Sequence, residues 1–219
     1  MPASTLKGKF LLAAMQMGDP NFVRSVILLI EHDQDGAMGL IVNRPTDVAV
    51  ADVLTDEDVE IRLDSGDASM LFRGGPCDGP LMVLHGGHIS ELGEVGFPPL
   101  AASDSRQVLE GIWFGSDRTI VEPALTGAIR PARFFAGYAG WGAGQLEAEI
   151  DESAWTVIEG DAATLWEPDK LFKGLPSGPE TASPLSGDEL WRSLTQRQAA
   201  SDFMKGWNPK IFPSDPSMN

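Results

Sequence analysis

The chain has 219 residues, a hydrophobic fraction of 42% and a formal net charge of −16 at pH 7. This length suits one large domain or one domain with an appendage, and the hydrophobic fraction allows a sizeable core. The negative charge repels phosphate backbones and anionic lipid surfaces, so the composition argues against direct DNA or RNA binding and against a membrane partner.

Cys77 is the single cysteine. It excludes an intramolecular disulfide and a cysteine-based zinc cage, and it is consistent with a reducing compartment. No apolar run approaches the length of a membrane span. We therefore predict a cytoplasmic protein.

Four short apolar runs in the first half predict β-strands at residues 10–14, 26–32, 37–42 and 81–84. Between the second and third runs, residues 33–36 predict a hairpin turn in which Gly36 takes a positive φ. The second run begins with five consecutive apolar residues. Such continuous apolarity predicts a strand covered on both faces.

Helices are predicted in three places. The first runs from a cap at Ser103 to about residue 114, and the second spans residues 145–152. Ser186 and Glu189 form a capping-box pattern that predicts the third, reaching about residue 200. Strands and helices are interspersed without a regular βαβ rhythm, which favours an α+β fold built on a mixed sheet.

Composition changes near the C-terminal end. Residues 173–187 are rich in Pro, Gly, Ser and Thr, which is typical of a loop or linker. We therefore predict a main α+β domain at 1–172, a loop insertion at 173–187, and a helix and tail at 188–219 that pack on the main domain.

Three segments together resemble the YqgE/AlgH family of bacterial proteins over roughly residues 10–166. They are residues 19–45, then Gly74-Gly75-Pro76 with Val83-Leu84-His85, and then residues 137–155, which begin Gly-Tyr-Ala-Gly-Trp-Gly. The resemblance implies a compact α+β fold with a mixed, branched and partly barrel-like sheet surrounded by helices. One branch of the family is named for transcriptional regulation of alginate production.

The resemblance supplies no catalytic residues, because none are established for the family. Cys77 stands where many relatives carry a small aliphatic residue. That difference speaks against thiol chemistry as a family function.

Polar and aromatic residues at the edges of the apolar segments form the candidate ligand or partner site. They are Asp19, Asn21, Arg24, Glu31, His32, Asn43, Arg44, Tyr138 and Trp141. Polar groups in such positions need partners, since an unpaired buried group costs a few kcal/mol. Two interpretations stay open: an internal network that holds loops, or a shallow site in which Arg24 or Arg44 meets an anionic group.

No cofactor, metal or catalytic residue is predicted. The glycine-rich turn carries Gln145 where a dinucleotide fingerprint needs glycine, and Glu147 in the following helix would oppose a phosphate. His85 and His88 have a metal-compatible spacing, but the two glycines between them disfavour a helix and no acidic ligand follows closely. Adjacent strand residues face opposite ways, so Glu31 and His32 do not form a dyad by themselves.

The first hypothesis is a non-enzymatic protein that binds an unknown protein partner or small ligand and acts in regulation. The alternative is an unrecognised hydrolase or transferase that uses His32, Glu31 and nearby arginines. Ser25 is considered separately as a nucleophile that a histidine across the sheet would activate, although no Gly-x-Ser-x-Gly elbow is present. Direct nucleic-acid binding comes last, because the sequence has no helix-turn-helix signature or basic arm.

Overall fold

Two β-sheets form the framework of the protein, whose computed structural model describes residues 5–54, 70–89, 105–167 and 187–206. The strands of these ranges are β1 (Phe10–Ala13), β2 (Val26–Asp33), β3 (Gly36–Ile41), β4 (Pro45–Ala49), β5 (Met70–Arg73), β6 (Met82–Ile89), β7 (Arg106–Leu109), β8 (Ile112–Gly115), β9 (Ile129–Ala136), β10 (Ala139–Gly142) and β11 (Trp155–Ile158). The helices are α1 (Val50–Val53), α2 (Arg118–Leu125), α3 (Gln145–Asp151), α4 (Ala162–Trp166) and α5 (Gly187–Gly206).

The first sheet has the order β10-β3-β2-β1-β11 and is antiparallel throughout. The second sheet has the order β4-β5-β9-β6-β8-β7 and is mixed, because β5 and β9 run parallel. The chain passes from the first sheet to the second between β3 and β4. There the Ile41 N–H donates to the Gly74 carbonyl at 2.7 Å, so the two sheets branch from a shared corner. The predicted α+β class is confirmed, and neither sheet closes into a barrel over the described strands.

The main hydrophobic core lies between the two sheets. Leu12 and Leu28 face it from the first sheet, Phe72 and Phe135 face it from the second, and Trp191 of α5 enters it from one side. Burying a large apolar side chain contributes roughly 1.5–3 kcal/mol, so this layer supplies much of the stability. The C-terminal helix therefore takes part in the main core.

The outer face of each sheet is also covered. The first sheet buries Ile27 and Leu29 against Leu146 of α3, while α2 covers the outer face of the second sheet. Strand β2 alternates its side chains between the central core and this outer layer, and its first five residues are buried. The prediction of a strand covered on both faces is confirmed.

The helix predicted from Ser103 to about residue 114 is wrong. Ser103 lies outside the described residues, and residues 106–115 form the hairpin β7–β8, which turns at Gly111 with φ +77°. The apolar spacing of Val108 and Ile112 fits a helix as well as two short strands. Pairing with β6 decides between them, because it buries Phe114 and completes a sheet ladder.

Other local predictions agree with the structure. The β2–β3 hairpin turns at residues 34–35, and Gly36 has φ +141°. The predicted helix at 145–152 appears as α3, and the last predicted helix appears as α5. Ser186, most of the predicted linker at 173–187 and the tail beyond 206 lie outside the described residues. In the described part of the chain, no helix combines the length and apolarity that a membrane crossing requires.

Candidate functional site

The connection between β1 and β2, residues 14–25, is called the β1–β2 loop. It contains an Asx turn around Pro20: Asp19 Oδ1 accepts the N–H of Asn21 at 2.8 Å. The Asp19 carbonyl also accepts the N–H groups of Phe22 and Val23, both at 2.9 Å. Three hydrogen bonds to one residue fix the turn locally.

Asn43 holds the end of the loop from inside the protein, where it is 1% exposed. Its Oδ1 accepts the Val26 N–H at 2.8 Å, and its Nδ2 donates to the Arg24 carbonyl at 2.9 Å and to the Gly187 carbonyl. One amide thus satisfies main-chain groups from β2, from the loop and from α5. This is the geometry of a structural polar residue.

Arg44 holds the middle of the loop. Its Nη1 donates to the Asn21 carbonyl and its Nη2 donates to the Val23 carbonyl at 3.0 Å. Burial is the main cause of a lowered Arg44 pKa, with a smaller contribution from nearby Arg73, whereas Asp19 acts to raise it. Because the guanidinium remains charged at neutral pH, both hydrogen bonds are charge-assisted and stronger than neutral ones.

Arg24 has φ +54°, in the left-handed region that a non-glycine residue seldom adopts. Such a conformation costs of order 1–3 kcal/mol and persists only where the surroundings hold it. Here Asn43 binds the Arg24 carbonyl, and the guanidinium pairs with Asp188 of α5. Both side chains of that ion pair are about half exposed.

The loop also packs on the outer face of the first sheet through Phe22. The Phe22 ring stacks on Trp141 with centroids 6.4 Å apart and meets Trp155 edge-on at 5.5 Å. Phe22 lies between the two loop carbonyls that Arg44 binds. The loop therefore links Arg44 to Trp141, although their side chains do not share a hydrogen bond or ring contact.

Glu149 of α3 organises the tryptophan pair. Its Oε2 accepts the indole N–H of Trp141 at 2.9 Å and that of Trp155 at 2.7 Å, while its Oε1 accepts the Gln145 amide at 2.9 Å. Both indoles are almost fully buried. The buried indoles therefore have the hydrogen-bond partner that such groups need.

Tyr138 lies apart from Trp141. It packs against the central core on the other side of the first sheet, and its backbone forms two hydrogen bonds with Cys77, at 2.9 and 3.0 Å. The two aromatic residues are close in sequence but face opposite sides of the sheet. They do not line one site.

Glu31 and His32 point in opposite directions, as the strand geometry predicts. His32 Nδ1 accepts the Leu6 N–H at 3.1 Å, so Nε2 carries the proton and donates to Glu147 at 2.8 Å. Glu31 instead forms an ion pair with Arg106 of the second sheet. A hydrogen bond from its own backbone N–H lowers the Glu147 pKa, and His32 lowers it further.

The conceivable nucleophile Ser25 is far from His32. Ser25 is buried just before β2 begins, and His32 lies near the other end of that strand. Seven residues of extended chain separate the two by about 20 Å. Among the described residues, no group of three or more His, Cys, Asp or Glu side chains could hold a metal ion, and the side chain of His88 is outside them.

Sequence reasoning missed the partners of these residues. Glu149 and Trp155 lie inside the third motif segment, and their place in that motif was the available signal. Asp188 carried no local signal, because its partner Arg24 is 164 residues away in the chain. Distant pairings of this kind are visible only in the fold.

The chain is similar over most of its length to members of a bacterial family. The profile of the AlgH-like family matches residues 10–199, so the chain belongs to that family and the predicted resemblance is confirmed. A UPF0301 protein of Streptomyces coelicolor is 35% identical over 221 residues, covering 99% of this chain and 96% of the relative. A UPF0301 protein of Stutzerimonas stutzeri is 39% identical over 171 residues, covering 75% and 82%.

Two solved structures share the fold. The AlgH protein from Pseudomonas aeruginosa matches with a TM-score of 0.59 and 26% identity over 98% of each chain. A protein from Corynebacterium diphtheriae matches with a TM-score of 0.58 and 22% identity, covering 85% of this chain and 92% of the other. The second similarity concerns the fold alone.

Proposed function

We propose that this protein is a non-enzymatic, cytoplasmic binding protein that recognises a protein partner through the β1–β2 loop and acts in regulation through that partner. One observation carries the proposal. The protein fixes the conformation of this loop from within, while apolar side chains of the same loop stay exposed.

The loop is anchored at three points. Arg44 binds two of its carbonyls, Asn43 binds a third, and Phe22 packs against the tryptophan pair. A segment already fixed in one conformation loses little conformational freedom when a partner binds, and this saving strengthens association. The strained backbone at Arg24 fits such a role, because strain concentrates at functional segments.

The outer side of the loop remains available for contact. Met15 is 82% exposed and Val23 is 41% exposed. Removing such side chains from water contributes about 25 cal/mol per Å² of apolar surface. Because these side chains are exposed in the folded protein, their burial can stabilise a complex with a partner but adds little to the stability of the fold.

His32 and Glu31, the polar residues of the hydrolase or transferase hypothesis, already have other partners. Both ring nitrogens of His32 have hydrogen-bond partners, and Glu31 is paired with Arg106. A general base needs a free nitrogen within hydrogen-bond reach of its nucleophile. This arrangement supports a binding protein over a hydrolase or transferase.

Regulation through a protein partner suits the charge as well. At −16 the chain repels nucleic acid, and the two arginines that anchor the loop, Arg24 and Arg44, already have partners. Direct nucleic-acid binding predicts a salt-dependent shift with duplex DNA or RNA at low ionic strength. We expect none.

Site-specific cross-linking tests the proposal, with Val23 and Val48 as matched positions. Val48 is 40% exposed but lies on β4 of the second sheet, outside the loop. Each valine is replaced in turn by the photoreactive residue benzoylphenylalanine, and the protein is illuminated in the bacterium that makes it. We expect a discrete adduct from position 23 that position 48 does not give.

The captured protein is then purified and its Kd measured for wild type, Val23→Asp and Val48→Asp. An aspartate in an apolar contact costs about 1–3 kcal/mol, so the first variant should weaken binding at least about tenfold and the second hardly at all. Identical adducts from both positions, no adduct from position 23, or equal effects of both substitutions contradict the proposal.

A further inference from the structure

We infer that the partner docks a basic segment with an apolar side chain on one end of the first sheet, where the β1–β2 loop, on which Met15 and Val23 are exposed, lies beside the acidic turn after α3. This inference rests on the proposed function and adds the chemistry of the partner. The acidic turn comprises residues 151–154.

The acidic turn and the loop are neighbours in the fold. The Ala14 N–H donates to the Ala154 carbonyl at 2.9 Å, which places the turn next to exposed Met15. Asp151 and Glu152 are exposed at the same place. Apolar contact groups and carboxylates therefore meet on one surface.

Asp151 and Glu152 do not stabilise α3. They stand at the C-terminal end of α3, where the helix dipole is negative and no basic residue is present in the last turn. Each carboxylate in that position is unfavourable by about 0.3–1 kcal/mol. Neither Asp151 nor Glu152 has an ion-pair partner among the described residues.

Three arginines at or near the loop are already engaged. Arg24 and Arg192 both pair with Asp188, and Arg44 donates to loop carbonyls. These three arginines therefore direct their charge to Asp188 and to main-chain carbonyls, not to the carboxylates of the acidic turn. The surface is electrostatically suited to a positive partner.

Charge also selects among possible occupants. A second copy carries the same net charge of −16, and nucleic acid and anionic membranes are negative as well. A Lys- or Arg-bearing protein segment is attracted instead. An apolar side chain on that segment would cover Met15 and Val23.

A synthetic peptide of alternating leucine and lysine, labelled with a fluorophore, serves as the probe at about 0.15 M salt, where long-range attraction is largely screened. Peptides in which serine replaces leucine, or glutamate replaces lysine, are the controls. We expect the leucine–lysine peptide to bind more tightly than both controls.

The decisive comparison uses two double variants that remove the same charge. Asp151→Asn with Glu152→Gln neutralises the acidic turn, whereas Asp33→Asn with Asp35→Asn neutralises exposed acids at the opposite end of β2. We expect the first to weaken binding about three- to tenfold and the second less than about twofold, since a rim ion pair contributes 0.2–1 kcal/mol. Met15→Ser should weaken binding more than Val48→Ser.

Equal losses from both double variants overturn the inference, because they indicate attraction to net charge alone. Equal binding of the serine–lysine peptide, or no binding of any peptide, also overturns it. The partner captured at position 23 separates the two proposals: if its Kd does not respond to the acidic-turn variant, the proposed function stands and this inference fails. If position 23 captures nothing, the proposed function itself fails.

Discussion

The side-chain oxygen of Asn43 accepts the backbone N–H of Val26 at 2.8 Å, in a position that is 1% exposed. Asn43, two residues beyond the end of β3, thereby satisfies the first main-chain donor of β2. At the end of β2 that adjoins the β1–β2 loop, this side-chain hydrogen bond takes the place of a backbone hydrogen bond between strands.

Asn43→Ala should lower the free energy of unfolding by about 2–4 kcal/mol, because it removes three hydrogen bonds and leaves buried main-chain groups unpaired. Asp188→Asn, which weakens an exposed ion pair of the same loop, should cost less than about 1 kcal/mol. Urea denaturation followed by circular dichroism measures both. Similar losses for the two variants would show that Asn43 does not hold the loop.

Glu149→Ala should destabilise the protein by about 2–3 kcal/mol, because two buried indole N–H groups lose their acceptor. The indole proton resonances of Trp141 and Trp155 should move in the NMR spectrum. Glu152→Ala, which removes an exposed acid one residue beyond α3, is the matched control and should leave both signals in place. Unchanged indole signals in Glu149→Ala contradict the geometry.

His85 predicts a pH dependence of stability. It is 2% exposed, and burial lowers its pKa from the ordinary 6.5 to about 4. Between these two values the unfolded chain binds more protons than the folded chain, so stability rises with pH there by at most about 1.4 kcal/mol per unit. The full contribution is present above pH 6.5 and falls as the pH decreases toward 4.

His85→Gln removes this titration, because the new side chain carries no titrating group. When the pH falls from 7 to 4, the free energy of unfolding of the wild type should therefore decrease by up to about 3 kcal/mol more than that of the variant. Urea denaturation at several pH values measures the difference. Parallel curves for the two proteins would rule out a depressed pKa.

Gly75 and Gly142 predict opposite outcomes for the same substitution. A Cβ at Gly75 would lie 2.1 Å from the Tyr138 carbonyl carbon, whereas at Gly142 the nearest atom is 3.9 Å away. Gly75→Ala should force the Cys77–Tyr138 pairing apart and cost more than about 2 kcal/mol, as overpacking against backbone does. Gly142→Ala should be neutral or stabilising by up to about 1 kcal/mol. Thermal unfolding of the two variants provides the comparison.

Several parts of the fold could be predicted from sequence because the signal is local. The turn at Gly36, the covered strand β2 and helix α3 follow from turn chemistry and from apolar periodicity. The Asx turn at Asp19 follows from one side chain and its nearest neighbours. In each case the residues that decide the structure lie within a few positions of one another.

The hairpin at residues 106–115 could not be predicted in this way. Its apolar spacing fits two kinds of structure, and pairing with β6 chooses between them. The candidate site shows the same limit: the structure brings Asn43, Arg44 and Arg24 to one loop, but it places Glu31 and Tyr138 elsewhere. Which face of a sheet receives a side chain depends on partners far away in the chain.

Helix α5 has a consequence for biosynthesis. It contributes Leu190, Trp191 and Leu194 to the core between the sheets, and Trp191 donates to the Ala13 carbonyl at 2.8 Å. These residues emerge from the ribosome late, after every strand of both described sheets. During synthesis, all strands of the two described sheets therefore emerge before α5, and the native interior closes only after α5 has emerged.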